Sequence, residues 1–155
     1  MRIISSLIGF ALLFFLAWPY INVYRLSGAA AAPQSPALES MLDMESIRKT
    51  YQAQLEKNIQ TTVNSTGVQA NGILGNVLQN IGNLGGMAVE QYVDVNWVRQ
   101  QLQGTATDPT LWGSMDYAFF ESPTRFVVRK GKLGENPTFV ELTLQDWSWR
   151  VTAIY

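Results

Sequence analysis

An uncharged apolar run near the start of the sequence limits what the rest of the chain can be. Residues 3–24 carry no charge and are dominated by Ile, Leu, Phe and Ala. A helix rises 1.5 Å per residue, so about 20 such residues can cross the hydrocarbon of a bilayer. Pro19 falls late in the run, where a proline close to the membrane boundary is tolerated. The run therefore predicts a transmembrane helix. Aromatic residues typical of a membrane–water interface lie near its end: Trp18, Tyr20 and Tyr24.

The small-residue segment that follows makes cleavage an alternative. Residues 29–32 offer A-x-A sites, and Arg2 supplies a short positive n-region, as in a signal peptide. In a signal peptide the cleavage site follows the apolar core closely, whereas Arg25 and its neighbours intervene here. We therefore predict an uncleaved signal anchor over residues 1–28, with cleavage and a buried helix of a soluble protein as alternatives. The short n-region favours a domain outside the cytoplasm, although the charge asymmetry across the run is slight.

The next part of the chain is predicted to be a linker and then helices. Residues 29–38 are small and proline-containing, typical of a juxtamembrane linker. Residues 39–104 are predicted to be helical, including an uncharged glycine-bearing segment. Asp43 and Asp94 each precede apolar residues at helical spacing, and an arginine follows five residues later, at Arg48 and Arg99. We interpret both as one N-cap arrangement with solvated arginines, rather than as a paired charged site.

Beyond residue 114 the apolar period changes from 3.6 to 2. Four segments alternate apolar with polar residues and are separated by turn signals, which predicts an antiparallel meander of about four strands over residues 114–155. Together with the preceding helices this gives a single α+β domain over residues 39–155, with the helices packed on one face of the sheet. The residues predicted to face the helices are Val140, Leu142, Trp149 and Val151.

Four segments carry a resemblance to a known family: "AWPYINVYRL", "LDMESIRKTYQAQL", "FESPTRFVV" and "WSWRVTAIY". In their order and spacing the chain resembles a family of small membrane-anchored bacterial proteins classed only as a domain of unknown function. The resemblance implies a bacterial origin and a retained membrane helix, and it brings no catalytic residues with it. Combined with the anchor, it implies a single-pass protein of the inner membrane with its C-terminal domain on the periplasmic side.

The composition excludes several kinds of chemistry. The chain has no cysteine and no histidine, which excludes disulfides, thiolate metal sites and histidine-based catalysis. The net charge of −1, with basic residues spread along the chain, does not favour nucleic-acid binding. We therefore predict no catalytic residue, cofactor or metal, and no enzymatic activity. The carboxylates of Asp116 and Glu121 flank an aromatic stretch and leave a small carboxylate-dependent hydrolase as an alternative.

Aromatic residues concentrate in the C-terminal half and predict an apolar pocket between sheet and helices. The alternative is that these rings simply form the core. The chain is thus predicted to be a membrane-anchored interaction or apolar-ligand-binding module, with a membrane-organising structural protein as the alternative. Its expected partners are the lipid bilayer, through residues 3–24, and a protein of the envelope. The predicted pocket residues are Phe119, Phe126, Trp147 and Trp149.

Overall fold

The computed structural model describes residues 2–33, 35–65, 88–104 and 108–155. Helices occupy most of the first two-thirds of these residues, and strands occupy the last third. The helices are α1 (Arg2–Ala31), α2 (Pro36–Ser40), α3 (Met44–Ser65) and α4 (Val95–Leu102), and residues 88–92 are also helical. The strands are β1 (Met115–Ser122), β2 (Arg125–Lys130), β3 (Thr138–Gln145) and β4 (Ser148–Ile154). The uncharged glycine-bearing segment, for which apolar residues at helical spacing predict a helix over residues 73–93, lies largely outside the described residues.

The four strands form one antiparallel sheet in the order β1-β2-β3-β4. This confirms the predicted α+β fold with a meander sheet. The four residues predicted to face the helices are all buried. The simple alternation does not continue to the end of β4, because the register shifts after Glu141 and sets Ile154 opposite Val140. Such a shift changes the face of the sheet to which the following side chains point.

Helix α3 packs against β4 and begins beside it. The backbone N–H of Asp43 donates to the carbonyl of Val151 over 2.9 Å, and the N–H of Val151 donates to the carbonyl of Met41 over 2.9 Å. The segment before α3 thus makes a short parallel bridge with β4 at Leu42. These bonds satisfy backbone groups that an uncovered edge strand would leave unpaired.

Both predicted N-caps are confirmed. The Asp43 carboxylate accepts from the backbone N–H of Ser46 over 3.1 Å, and the Asp94 carboxylate accepts from the N–H of Trp97 over 2.7 Å. The prediction that Arg48 is solvated is wrong, because its Nε donates to the carbonyl of Val93 over 3.0 Å. This bond joins α3 to the residue that precedes the second cap.

The C-terminal end of α4 is held by a lysine of the sheet. The Nζ of Lys130 donates to the carbonyls of Gln101 and Gln103 over 2.6 and 2.7 Å. A cation at this position complements the negative end of the helix dipole. Partial burial of the ammonium lowers the pKa of Lys130 from its usual range. The last turn of α4 is therefore fixed to the end of β2.

Candidate membrane-anchoring site

Helix α1 consists of two halves with different surroundings. Its N-terminal half is apolar and exposed. Among the helices that the structure describes, α1 is the one that is long and apolar enough to cross a membrane. A soluble domain rarely leaves so many large apolar side chains in contact with water. The exposed large apolar residues of this half are Ile3, Ile4, Leu7, Ile8, Phe10, Leu12, Leu13, Phe14 and Leu16.

The C-terminal half of α1 is part of the hydrophobic core of the domain. Its buried residues recur every three or four positions, which is the spacing of one helix face. Val23, Leu26 and Ala30 are at most 1% exposed and lie in the same cluster as Phe126 and Trp149. The predicted boundary between anchor and linker, after residue 28, falls inside this helix. The division of the chain into anchor, linker and domain stays a prediction.

Successive residues of α1 contact successively earlier residues of β1 and of the segment before it. The ring of Phe15 stacks near that of Phe120, with centroids 6.1 Å apart. One and a half turns later the hydroxyl of Tyr20 donates to the carbonyl of Ala118 over 3.0 Å. Near the end of α1 the backbone N–H of Trp112 donates to the Oγ of Ser27 over 3.0 Å. The helix therefore runs antiparallel to β1, and its exposed half extends past the end of β1.

Tyr20 also anchors α1 on the core face of the sheet. Its ring meets that of Phe126 edge-on, with centroids 4.9 Å apart. Further along, the ring of Tyr24 meets that of Trp112 edge-on at 5.7 Å. Aromatic pairs in this geometry stabilise a contact beyond the area they bury. The two tyrosines, which sequence patterns place in an interfacial belt, thus have structural partners in the domain.

The four predicted pocket residues divide between the two faces of the sheet. Phe126 and Trp149 are buried, with ring centroids 6.3 Å apart. Phe119 precedes Phe120, which pairs with Phe126 across the strands, so the pleat turns Phe119 to the opposite face. Phe119 is 56% exposed, and Trp147, in the turn between β3 and β4, is 78% exposed. The structure brings two of these rings together in the core and leaves the other two at the surface.

The two carboxylates considered for acid–base chemistry are each paired with a different arginine. Asp116 accepts from Arg129, whose guanidinium also lies 5.5 Å from the ring centre of Tyr117. Glu121 lies 3.6 Å from Arg125, which is 3.1 Å from a Glu141 oxygen. The Glu121–Arg125 pair is about half exposed, so its contribution to stability is small, whereas the Arg129 side chain, on an inner strand, is only 15% exposed. Within the residues that the structure describes, no cluster of three metal-ligating side chains is present.

A cleft of about 310 Å³ lies between α2 and α4. The Nη1 of Arg99 donates to the Oδ1 of Asn96 over 3.2 Å, and its buried Nε has no hydrogen-bond partner among the described residues. No sequence pattern marks this cleft, because its residues come from two distant segments and form no motif. Its lining is mixed in polarity and consists of Ser35, Pro36, Glu39, Val95, Asn96 and Arg99.

A carboxylate next to α3 titrates below its usual range. Partial burial raises the pKa of Asp43, but hydrogen bonds from Gln145 and Ser46 and the charge of Arg150 outweigh it, so the pKa is lowered. The Gln145 bond, 2.9 Å from Nε2 to Oδ2, connects this cap to the end of β3. Asp43 therefore has a structural role at the junction of helix and sheet.

Comparison with known proteins gives one match. A family model described as "Protein of unknown function (DUF2939)" matches residues 8–101, which is more than half of the chain. The match begins in the exposed half of α1 and ends in α4, so it covers the helices and stops before the sheet. No curated protein and no solved structure matches the chain.

Proposed function

The chain belongs to the DUF2939 family, whose description assigns no activity, and from its geometry we propose that it is a membrane-anchored interaction module. In this proposal α1 stays attached to the chain and holds the α+β domain outside the cytoplasm, at the periplasmic face of a bacterial inner membrane. The module acts by binding a partner and has no catalytic activity of its own. The observation that carries the proposal is the difference between the two halves of α1. One half is apolar and exposed, and the other half lies in the core.

The core half of α1 argues against cleavage. Removal of the helix at residues 29–32 would take Val23, Leu26 and Tyr20 away from the domain. It would expose Phe126, whose ring Tyr20 covers. Losing several buried apolar side chains costs several kcal/mol at about 25 cal/mol per Å² of area returned to water. A domain of this size has a total stability of only about 5–15 kcal/mol. We therefore expect the domain to stay folded only when α1 is retained.

The exposed half supplies the membrane attachment. An apolar segment of this length partitions into hydrocarbon far more strongly than surface charges bind headgroups. The charge of the chain is nearly balanced, so attachment is expected to be insensitive to salt. An interaction role is favoured over apolar-ligand binding, because two of the four predicted pocket residues lie at the surface and not in a shared cavity.

Membrane extraction of matched variants tests this proposal. We expect the chain to remain in the membrane pellet after high-salt and alkaline carbonate washes. Replacing Leu12 and Leu13 together by lysine introduces two charges into the exposed half, each costing about 2.5–3.5 kcal/mol near the centre of a bilayer. This variant is expected to move into the supernatant, whereas the double alanine variant stays in the pellet. Extraction of the unmodified chain by carbonate would refute the anchor.

Protease accessibility tests the orientation. In spheroplasts, protease added from outside is expected to digest the domain while the cytoplasmic marker proteins stay intact. Protection of the domain until the membrane is opened would reverse the proposed orientation and would leave the anchor itself unaffected.

A further inference from the structure

The part of α1 that is free of the domain is shorter than a bilayer is thick. Between the charge at Arg2 and the first ring contact at Phe15 lie residues 3–14. At 1.5 Å per residue these residues span about 18 Å, whereas the hydrocarbon of a bilayer is about 30 Å thick. Tilting the helix makes its reach across the bilayer shorter still. If α1 crosses the membrane, the bilayer must thin locally around it, so that the headgroup layer lies near the level of Phe15.

Phe15 and the residues that follow it lie beside one end of the sheet. Phe15 is level with Phe120, and Tyr20 is level with Ala118. The exposed half of α1 leaves the domain past the end of β1, as the antiparallel contacts show. The end of the sheet at which β1 finishes must therefore be close to the lipid.

Two of the three hairpin connections of the sheet lie at this end. In a meander, β1 and β3 run in the same direction, so the turn after β1 and the turn after β3 are neighbours. The backbone N–H of Leu144 donates to the carbonyl of Thr124 over 2.8 Å and ties the two together. We call residues 122–125 and 145–148 the turn end. The loop over residues 131–137 lies at the opposite end of the sheet.

The turn end presents one large aromatic side chain, that of Trp147, to its surroundings. Trp147 is the most exposed large apolar residue of the described chain, at 78%. It also has a φ of 61°, after 46° at Asp146, in a turn of the kind that usually takes Asn-Gly. A tryptophan is costly at such a φ, and in water its ring gains nothing from this exposure. Tryptophan side chains concentrate where a bilayer meets water, because the ring is apolar and the N–H is polar.

The charges near the turn end suit a headgroup layer without requiring anionic lipid. Arg125 lies within ion-pair distance of both Glu121 and Glu141, and Asp146 is exposed. Together these four groups carry two more negative than positive charges, so we expect zwitterionic headgroups to be favoured over anionic ones. The four groups are too polar for hydrocarbon but are compatible with the hydrated interface above it.

We propose that the turn end rests in the headgroup layer of the same bilayer that α1 crosses, with Trp147 as its main lipid contact. The inference rests on the proposed function, because it takes α1 as a membrane anchor. It adds that the domain lies directly on the membrane with a fixed end down, and does not hang from a flexible tether. A partner would then meet the opposite end and the sides of the domain.

Site-specific fluorescence in lipid nanodiscs tests this inference. The chain has no cysteine, so Ser148→Cys and Leu133→Cys each give one labelling site for an environment-sensitive fluorophore. Ser148 lies at the turn end, and Leu133, 69% exposed, lies in the opposite loop. In phosphatidylcholine nanodiscs we expect the label at residue 148 to be quenched by a lipid with a nitroxide near its headgroup. The label at residue 133 is expected to be quenched by aqueous iodide instead.

A glycine variant isolates the contribution of the tryptophan. Trp147→Gly in the Ser148→Cys background removes the ring but suits the positive φ, so the turn is kept. We expect the label at residue 148 to lose part of its lipid quenching and to gain iodide quenching. No change in this variant would overturn the role of Trp147.

The outcomes separate the inference from the proposed function. Failure of the chain to enter the nanodiscs would refute the anchor. Entry with equal iodide quenching at residues 148 and 133 would leave the anchor standing and overturn the docking of the turn end.

Discussion

At the scale of single residues, Trp149 shows how the sheet and helices are joined. Its ring is 2% exposed and makes edge-on contacts with Phe120 at 6.0 Å and with Phe126 at 6.3 Å. Its Nε1 is buried without a hydrogen-bond partner among the described residues. A buried donor left unpaired costs about 1–3 kcal/mol. The residue therefore stabilises the fold through packing and not through its polar atom.

The two roles of this side chain are separable by substitution. Trp149→Ala removes the packing and is expected to lower the free energy of unfolding by about 3–5 kcal/mol. Trp149→Phe keeps most of the ring and removes the unpaired N–H, so we expect it to cost much less. Denaturant unfolding of the detergent-solubilised chain, followed by near-UV circular dichroism, measures both. Equal losses in the two variants would contradict this account of the site.

Asp43 makes the stability of the domain dependent on acid. Its folded pKa is below the usual value of 3.8, so the folded state holds the ionised form more strongly than the unfolded chain does. This contribution is fully present above the unfolded pKa and is lost as the pH falls through the folded pKa. Asp43→Asn keeps a capping side chain but cannot ionise.

We expect the unmodified chain to be more stable than Asp43→Asn at neutral pH by about 0.3–1 kcal/mol. The difference should shrink as the pH falls below about 4, because protonation makes the two side chains similar. Thermal unfolding at a series of pH values measures this difference. A gap that stays constant down to pH 2 would show that the ionised carboxylate does not stabilise α3.

Much of the residue-scale structure could be predicted from the sequence. The two caps follow from Asp before an apolar helical pattern, and the buried strand residues follow from period-two alternation. The bond from Arg48 to Val93 could not be predicted, because it joins segments far apart in the sequence. The exposure of Trp147 was missed for a different reason. An aromatic residue is usually buried, which favours a core position for Trp147. Its place in a tight turn between two strands is the pattern that indicates exposure.

At the scale of elements, the two halves of α1 have different surroundings: the N-terminal half is exposed and the C-terminal half is in the core. An apolar helix looks the same in sequence whether lipid or protein surrounds it, so residues 3–24 alone predicted only a membrane span. In the second half, Ser27 lies among small residues and indicates packing against protein. A hydroxyl in a packed helix can accept from a neighbouring backbone N–H, as Ser27 does from Trp112. The register shift in the sheet left no comparable signal, because no glycine or proline marks it.

Substitutions on opposite sides of α1 test its role in the core. Leu26 is fully buried, and Leu26→Ala is expected to lower the free energy of unfolding of the domain by about 2–5 kcal/mol. Ile21 is 50% exposed, and Ile21→Ala is expected to change it by about 0.5 kcal/mol or less. Denaturant unfolding in detergent micelles provides the comparison. A tether joined to the domain by a flexible linker would instead make both variants neutral.

At the scale of the whole molecule, one long apolar helix extends from an α+β domain, and in the proposed function it ties that domain to the bilayer. The family match covers the helices and stops before the sheet, although the sheet supplies seven of the eighteen buried residues of the core cluster. The fold class could be predicted because the hydrophobic period changes once along the chain. The way α1 joins the domain could not, since it depends on contacts between residues about 100 positions apart, such as Tyr20 and Ala118.

Retention of α1 is the central claim, and the intact mass of the protein tests it most directly. We expect chains purified from membranes to include residues 1–28, because their removal would take Val23 and Leu26 out of the core. Mass spectrometry of the detergent-extracted protein gives this result without further modification. A folded, soluble species that begins at Ala31, Ala32 or Pro33 would contradict the account, since it would show that the domain is complete without α1.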